Sequence, residues 1–545
     1  RNAPDTDPAL AANRAWAGEI AARIPGSQLG LDRSHAATLD GEQDVDTLVS
    51  RLRGGALVWA ARPAADRAAV LHRVADLFEE RRGDLMEVAG AETGKTIDQS
   101  DPEVSEAIDF ARYYAHQALE LEALDGARFT PVALTVVTPP WNFPLAIPAG
   151  GVLAALAAGS AAVLKPAPPA RRCGAVLAKL MLEAGVPEDV FALADLEDGE
   201  VSKSLVTHPG VDRVVLTGST ETAALFRSWR TDLPLLAETS GKNAIIVTPS
   251  ADPDLAVKDV VTSAFGHAGQ KCSAASLVIL VGSVAHSRRF RDQLVDAVRS
   301  LRVGPPEDLT SEVGRVVMPE DEKLLRGLTQ LEAGEHWVIR PQQLDEDGRY
   351  WQPGVRAGVG IDSEFHLTEY FAPVLGVMVA EDLGEAIELV NRVEFGLTSG
   401  IHSLDPDEVY YWLERVQAGN LYVNRGITGA IVQRQPFGGW KRSAIGPGTK
   451  AGGPSYLLGF GHVSPLPGEA PETPRSPKLS AAPARVRPLL RSAKKHLSKP
   501  EWRRLRRSAA SDGAMWDARY GRALDPTGLE AEMNVLRYRP LPVTI

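Results

Sequence analysis

The sequence predicts an α/β protein built on parallel sheets. Two observations carry this. Short apolar runs at Leu134–Thr138, Ala161–Leu164, Arg213–Thr217 and 244–247 alternate with helical stretches, for example 173–183. Strands alternating with helices at that spacing are joined by crossovers, which leave neighbouring strands parallel. A second series of the same kind follows Ala251, with runs at 276–281, 374–379 and 421–424. The chain of 545 residues is long enough for several folding units, and 44% hydrophobic against 24% charged residues is the balance of a globular protein.

In chain order, residues 1–46 are polar and mixed, and read as an arm. Residues 47–92 read as helical, with Leu48, Leu52, Leu57 and Val58 and then Val70, Val74, Leu77 and Phe78 at three- to five-residue steps. A further helix is expected over 102–121, where Ile108, Phe110, Tyr113 and Tyr114 mark a packed face. Residues 145–164 carry no charge, but they are mostly Ala and Gly with Pro148 inside. Spanning helices are richer in Leu, Ile, Val and Phe, so 150–158 reads as a buried helix leading into a core strand and no membrane span is expected. The tail, 464–545, changes character. Residues 464–488 hold seven prolines and read as a linker, and 475–507 hold twelve Lys and Arg. That run fits a nucleic acid or an anionic surface, or a solvated basic helix against an acidic neighbour; no aromatic interleaving or known binding motif accompanies it, which favours the last.

The net charge of −11 argues against a nucleic-acid binder built on global positive charge. Cys173 and Cys272 are the only cysteines, too few for a disulfide scaffold or a Cys-rich zinc site. A reducing, cytoplasmic setting is expected, with no metal.

Several residues are candidates for chemistry. Cys272 follows Gly269-Gln270-Lys271 and precedes Ser273-Ala274, small neighbours that let a substrate approach. It reads either as a nucleophile, which needs a base or a favourable field, or as an inert buried thiol. His267 lies five residues earlier, but no protease signature supports a Cys–His pair. Asn142, between prolines in Pro140-Trp141-Asn142-Phe143-Pro144, is either an aimed oxyanion donor or a turn residue satisfied by its own backbone. Glu238, beside the apolar run 244–247, is either a general base acting through water or half of an ion pair with a lysine. Thr217-Gly218-Ser219 ends a strand and opens a helix, where a pyrophosphate is favoured, although the GxGxxG fingerprint is absent. Lys165 stands at a strand's carboxyl end, where open α/β sheets bind ligands.

These pieces occur in one order with Glu369-Tyr370-Phe371-Ala372-Pro373 and Pro436-Phe437-Gly438-Gly439. The chain resembles the aldehyde dehydrogenase superfamily from about Thr47 to Val463. More narrowly, Asn2-Ala3-Pro4-Asp5, Gly419-Asn420-Leu421-Tyr422-Val423-Asn424-Arg425 and Lys450-Ala451-Gly452-Gly453-Pro454 resemble the L-glutamate γ-semialdehyde (Δ1-pyrroline-5-carboxylate) dehydrogenases, including the C-terminal half of bifunctional proline utilisation enzymes. The resemblance implies a Rossmann-like NAD-binding domain over 47–250, an α/β catalytic domain over 251–430, and a return to the first domain over 431–463. It also implies a small β oligomerisation flap, near 122–140 and within 431–463, in a homodimer or larger assembly. A proline dehydrogenase half would precede Arg1.

It further implies roles. Cys272 attacks the aldehyde, Asn142 and the Cys272 N–H hold the oxyanion, and Glu238 activates the water that hydrolyses the thioester. Lys165, Thr217, Gly218, Ser219, Trp141, Glu369 and Phe371 contact NAD. Ser273, Gly429 and Ala430 anchor the substrate carboxylate, and Phe143 and Phe437 pack on its chain. An aldehyde dehydrogenase for another short ω-aldehyde is the alternative. Three departures stand out: Pro168 where relatives often carry Glu, Ala223 where Gly is common, and Trp440-Lys441-Arg442-Ser443-Ala444-Ile445 in place of a Ser-Gly run.

Overall fold

A computed structural model describes residues 2–466 and 478–540. The 467–477 part of the proline-rich run, including Arg475, lies outside the described residues. The chain divides into two compact units, one of residues 1–123 and 130–462, the other of 124–129 and 463–545.

The helical stretch expected over 47–92 is three helices, Glu42–Ala60, Ala64–Glu80 and Arg82–Thr93. Pro63 caps the second, and the residue before a proline is pushed out of the helical region, which ends the first. The first helix buries Val45, Leu48, Val49, Leu52, Ala56 and Trp59, while Leu57 and Val58 face outward, contrary to the periodicity read from sequence. The helix expected over 102–121 runs Ile97–Glu122, and the Ala-rich one runs Ala146–Ala158, its own buried side chains all small or aliphatic. The polar N-terminal residues include the helix Ala11–Arg23, and Asn2 and Ala3 hydrogen-bond to Asp109 on Ile97–Glu122.

The first sheet runs Ala444–Ile445, Leu235–Glu238, Arg213–Thr217, Leu134–Thr138, Ala161–Leu164, Phe191–Leu193. All its pairs are parallel except the outer Ala444–Ile445 strand, antiparallel to Leu235–Glu238. Strand order reverses between Leu134–Thr138 and Arg213–Thr217, which opens a crevice at their carboxyl ends. The second sheet runs Asn420–Val423, Thr398–His402, Asn243–Val247, Ala275–Val281, Val374–Ala380, Gly354–Ala357, His336–Ile339, antiparallel only at its last pair. Its core holds Ile245, Ile246, Val278, Ile279, Leu375 and Ile401. The two sheets are joined by the four residues between Glu238 and Asn243.

The segment 440–445 makes two short strands rather than a surface run. Trp440–Lys441 pairs with Phe395–Gly396, and Ala444–Ile445 closes the edge beside Glu238. Ser443 ties the seam, its hydroxyl donating to the Ser240 carbonyl at 2.6 Å.

The second unit carries most of a two-stranded ribbon formed by Ala127–Pro131 and Gly461–Pro465. Its basic residues lie largely on Arg487–Ala493 and Lys499–Met515, the latter opened by a Ser498–Glu501 capping box. Among the described residues no helix is long and apolar enough to cross a membrane, and no cluster of three or more His, Cys, Asp or Glu could hold a metal.

Candidate active site

Cys272 and Glu238 reach one place from different sheets. Glu238 ends its strand in the first sheet, and Cys272 sits just before Ala275–Val281 in the second. The approach is close. A Cβ at Gly241 would lie 2.7 Å from the Cys272 carbonyl oxygen, so only glycine fits there. The Asn243 amide donates to the carbonyls of Cys272 at 2.7 Å and Ala274 at 3.0 Å, fixing the nucleophile's backbone. Ahead of the cysteine, His267, Ala268 and Gly269 take left-handed φ of 55°, 54° and 69°, a strained turn that two non-glycine residues pay for.

A cavity of about 120 Å³ collects the site. Its wall includes Cys272, Glu238, Ser273, Gly429, Ala430, Phe143, Phe437 and Thr217, so all five residues expected around the substrate line it together with Cys272 and Glu238. Gly429 has φ of 75°, a conformation that favours glycine. Glu106, Tyr114 and Tyr456 also line the cavity and were not expected from sequence. Glu106 lies on the buried side of Ile97–Glu122 between Val104, Ala107 and Ile108. An acid in that position was the available signal.

Burial raises Glu238 to about 7, partly offset by the Lys450 ammonium. No ion pair forms at Glu238 among the described residues. Lys242 instead lies 4.0 Å from the Phe365 ring centroid, and burial lowers it to about 7. Burial, then Glu103, raises Glu106 to about 8. The Cys272 thiol is pushed well up by burial and then by Glu238, Glu369 and Glu106. Cys173 is fully buried and also pushed up, as an inert thiol is.

Asn142 is buried and is not on the cavity wall. One amide N–H donates to the Gln270 carbonyl, two residues before Cys272, at 2.9 Å. An Asn amide has two N–H donors, so this bond uses only one of them. Glu369 accepts the Gly241 N–H at 3.0 Å and is raised by burial. Phe371 has φ of 55° and meets Trp141 edge-on at 5.7 Å. Glu369 and Phe371 line a smaller, separate cavity with Lys242 and Lys271.

Gly218 and Ser219 stand at the carboxyl end of Arg213–Thr217, where strand order reverses. Ser219 caps the helix Thr220–Trp229 by accepting the Thr222 N–H at 3.0 Å, and its hydroxyl also lies 3.1 Å from the Thr222 hydroxyl and hydrogen-bonds the Glu221 side chain. Lys165 ends Ala161–Leu164 and pairs with the exposed Asp198 at 2.9 Å. A lysine and a helix N-terminus beside a switch-point crevice suit a dinucleotide. Ala223 is fully buried in its helix, and Pro168 opens a short 3₁₀ turn after Lys165.

Residues 32–463 match the aldehyde dehydrogenase family. The chain belongs to that family. Its fold is the expected aldehyde dehydrogenase fold of two α/β parts. It is 38% identical over 432 residues to the Escherichia coli (strain K12) bifunctional protein PutA, covering 76% of this chain and 32% of that protein. It is 34% identical over 419 residues to a Geobacillus 1-pyrroline-5-carboxylate dehydrogenase, covering 73% and 81% respectively. Among solved structures, proline utilization A from Corynebacterium freiburgense shares 49% identity with a TM-score of 0.87, over 99% of this chain and 53% of that one. A Thermus 1-pyrroline-5-carboxylate dehydrogenase with bound NAD shares 30% identity with a TM-score of 0.77, over 86% and 98%. The match thus spans about a third of the Escherichia coli PutA and about half of the Corynebacterium one.

Proposed function

We propose that the chain oxidises L-glutamate γ-semialdehyde, the hydrolysed form of Δ1-pyrroline-5-carboxylate, to L-glutamate with NAD. The observation that carries this is the single cavity joining Cys272 and Glu238 to Ser273, Gly429, Ala430 and two phenylalanines. The names of the relatives support the same reading.

In this reading Cys272 loses its proton to cavity water and adds to the aldehyde carbon, giving a thiohemiacetal. The second Asn142 N–H and the Cys272 backbone N–H hold the oxyanion. NAD, when bound, supplies the hydride acceptor; Lys165, Thr217, Gly218, Ser219, Trp141, Glu369 and Phe371 would hold it. The product on Cys272 is a thioester. Glu238, ionised above about 7, takes a proton from water as that water attacks. Ser273 and the amides of Gly429 and Ala430 anchor the α-carboxylate, Phe143 and Phe437 pack on the methylenes, and Glu106 offers a carboxyl to the α-ammonium.

We further propose the assignment of 47–250 to cofactor binding, 251–430 to catalysis and 431–463 to the return segment. The Ala127–Pro131 and Gly461–Pro465 ribbon would be an oligomerisation flap in a dimer or larger assembly. A proline dehydrogenase domain would supply the substrate in the full-length protein. The test is NADH formation with glutamate semialdehyde beside succinate semialdehyde and an alkyl aldehyde of similar length. A much higher kcat/KM for the first supports the assignment. Equal efficiency on all three points to the other short ω-aldehyde reading.

A further inference from the structure

The loop 139–144 presents Asn142, yet the groups that fasten it come from another stretch of chain. Lys95 precedes the helix Ile97–Glu122, and Glu103 lies in that helix's second turn. Both side chains are wholly shut off from solvent, and Lys95 Nζ stands 2.5 Å from Glu103 Oε2. A buried ion pair costs several kcal/mol of desolvation per ion unless both ends find further partners. Both do, and all those partners lie between residues 142 and 146. Lys95 Nζ donates to the Asn142 carbonyl at 3.1 Å and sits 3.9 Å from the Phe143 ring centroid. Glu103 Oε1 accepts the N–H groups of Leu145 at 2.7 Å and Ala146 at 3.0 Å, the first donors of the helix Ala146–Ala158. From the other side, the Asn142 amide is tied to Gln270 beside the nucleophile.

The pair therefore clamps the Asn142 backbone, while Gln270 clamps its side chain. We propose that Lys95 and Glu103 are positioning residues whose effect on the reaction passes through Asn142, by fixing the direction of its unused N–H. This rests on the oxyanion role proposed for Asn142. Removing the clamp leaves the amide present but misaimed, and misaiming a donor by about 1 Å is enough to lose most of its contribution.

The test is a double-mutant cycle. Asn142→Ala alone should lower kcat by roughly 10²–10³, the usual loss for one oxyanion donor. Lys95→Met with Glu103→Gln removes both charges together, leaving no lone buried ion, and should lower kcat at least about tenfold with KM for NAD within about twofold. On the Asn142→Ala background the same two changes should lower kcat by less than about twofold more. A purely structural role would give the same further loss on both backgrounds, and that additivity would overturn the proposal. So would an unchanged kcat in the Lys95→Met, Glu103→Gln protein. If Asn142→Ala itself keeps full kcat, the oxyanion reading falls and this inference falls with it. Should the neutral pair fail to fold, Lys95→Arg keeps the charge but moves the donor nitrogen, and it is read in the same cycle with the same two outcomes.

Discussion

Replacing Glu238 by glutamine keeps the side chain's shape and removes its negative charge, with two opposite effects. The first is loss of the base that activates water, which lowers steady-state turnover by about 10²–10⁴. The second concerns Cys272. After burial, ionised Glu238 is the largest influence holding that thiol up, so above about pH 7 Glu238→Gln lowers its pKa and increases the thiolate. Rapid mixing with NAD and aldehyde should therefore show a burst of NADH close to one per site, followed by slow turnover. Iodoacetamide should alkylate Cys272 faster than in the unmodified protein at the same pH. The unmodified protein should show a limb in kcat set by Glu238 at about 7. The base works only when ionised, so activity rises with pH, and at pH 6 roughly one site in ten is active. Glu238→Gln should lose that limb. Slower alkylation, or a burst lost along with turnover, would refute the separation of roles.

The other predictions are simpler. Cys272→Ala should abolish NADH formation while NAD still binds by titration calorimetry; substantial turnover would exclude a covalent intermediate. Ala430→Leu should erase most of the preference for glutamate semialdehyde over succinate semialdehyde by covering the anchoring amides, read as a ratio of kcat/KM; an unchanged ratio would remove the 429–430 loop from recognition. Gly241→Ala places a Cβ 2.7 Å from the Cys272 carbonyl and should cut kcat more than about tenfold and lower Tm. Full activity there would show that the seam between the sheets yields easily.

The residues proposed to carry the reaction could be picked out because they lie in short contiguous runs that occur in one order. The cavity brings together Cys272, Glu238, Thr217 and the residues expected around the substrate. Asn142, Glu369 and Phe371 stand apart from that space, behind it or in a neighbouring cavity, which spacing along a chain cannot show. Glu106 and the Lys95–Glu103 pair were missed because a helix pattern reveals a buried face, not which charged residue on that face finds a partner. Strands such as Thr398–His402 were missed for a related reason. It is rich in small polar residues, yet it is fully buried between two parallel neighbours, and a Cβ at Gly400 would stand 2.6 Å from Ile427. Burial on both faces replaced the hydrophobic alternation that marks an exposed sheet. The face of Glu42–Ala60 was misplaced at Leu57 and Val58 because a run of neighbouring apolar residues cannot all point inward on a helix.

The seam at Ala444–Ile445 also dictates an order of events during synthesis. The strand that ends in Glu238 is flanked on one side by Arg213–Thr217 and on the other by residues translated some two hundred positions later. A ribosome that has finished the first five strands of that sheet has produced every residue of the strand that ends in Glu238, but its outer edge is still unpaired. Thr239 finds its acceptors, the carbonyls of Arg442 and Ser443, only when that distant stretch emerges. Pairings so far apart in sequence form late, since the intervening loop must be closed first. Glu238 is thus among the last groups to be set, and a nascent chain stalled before 440 exposes a bare sheet edge open to pairing with other chains.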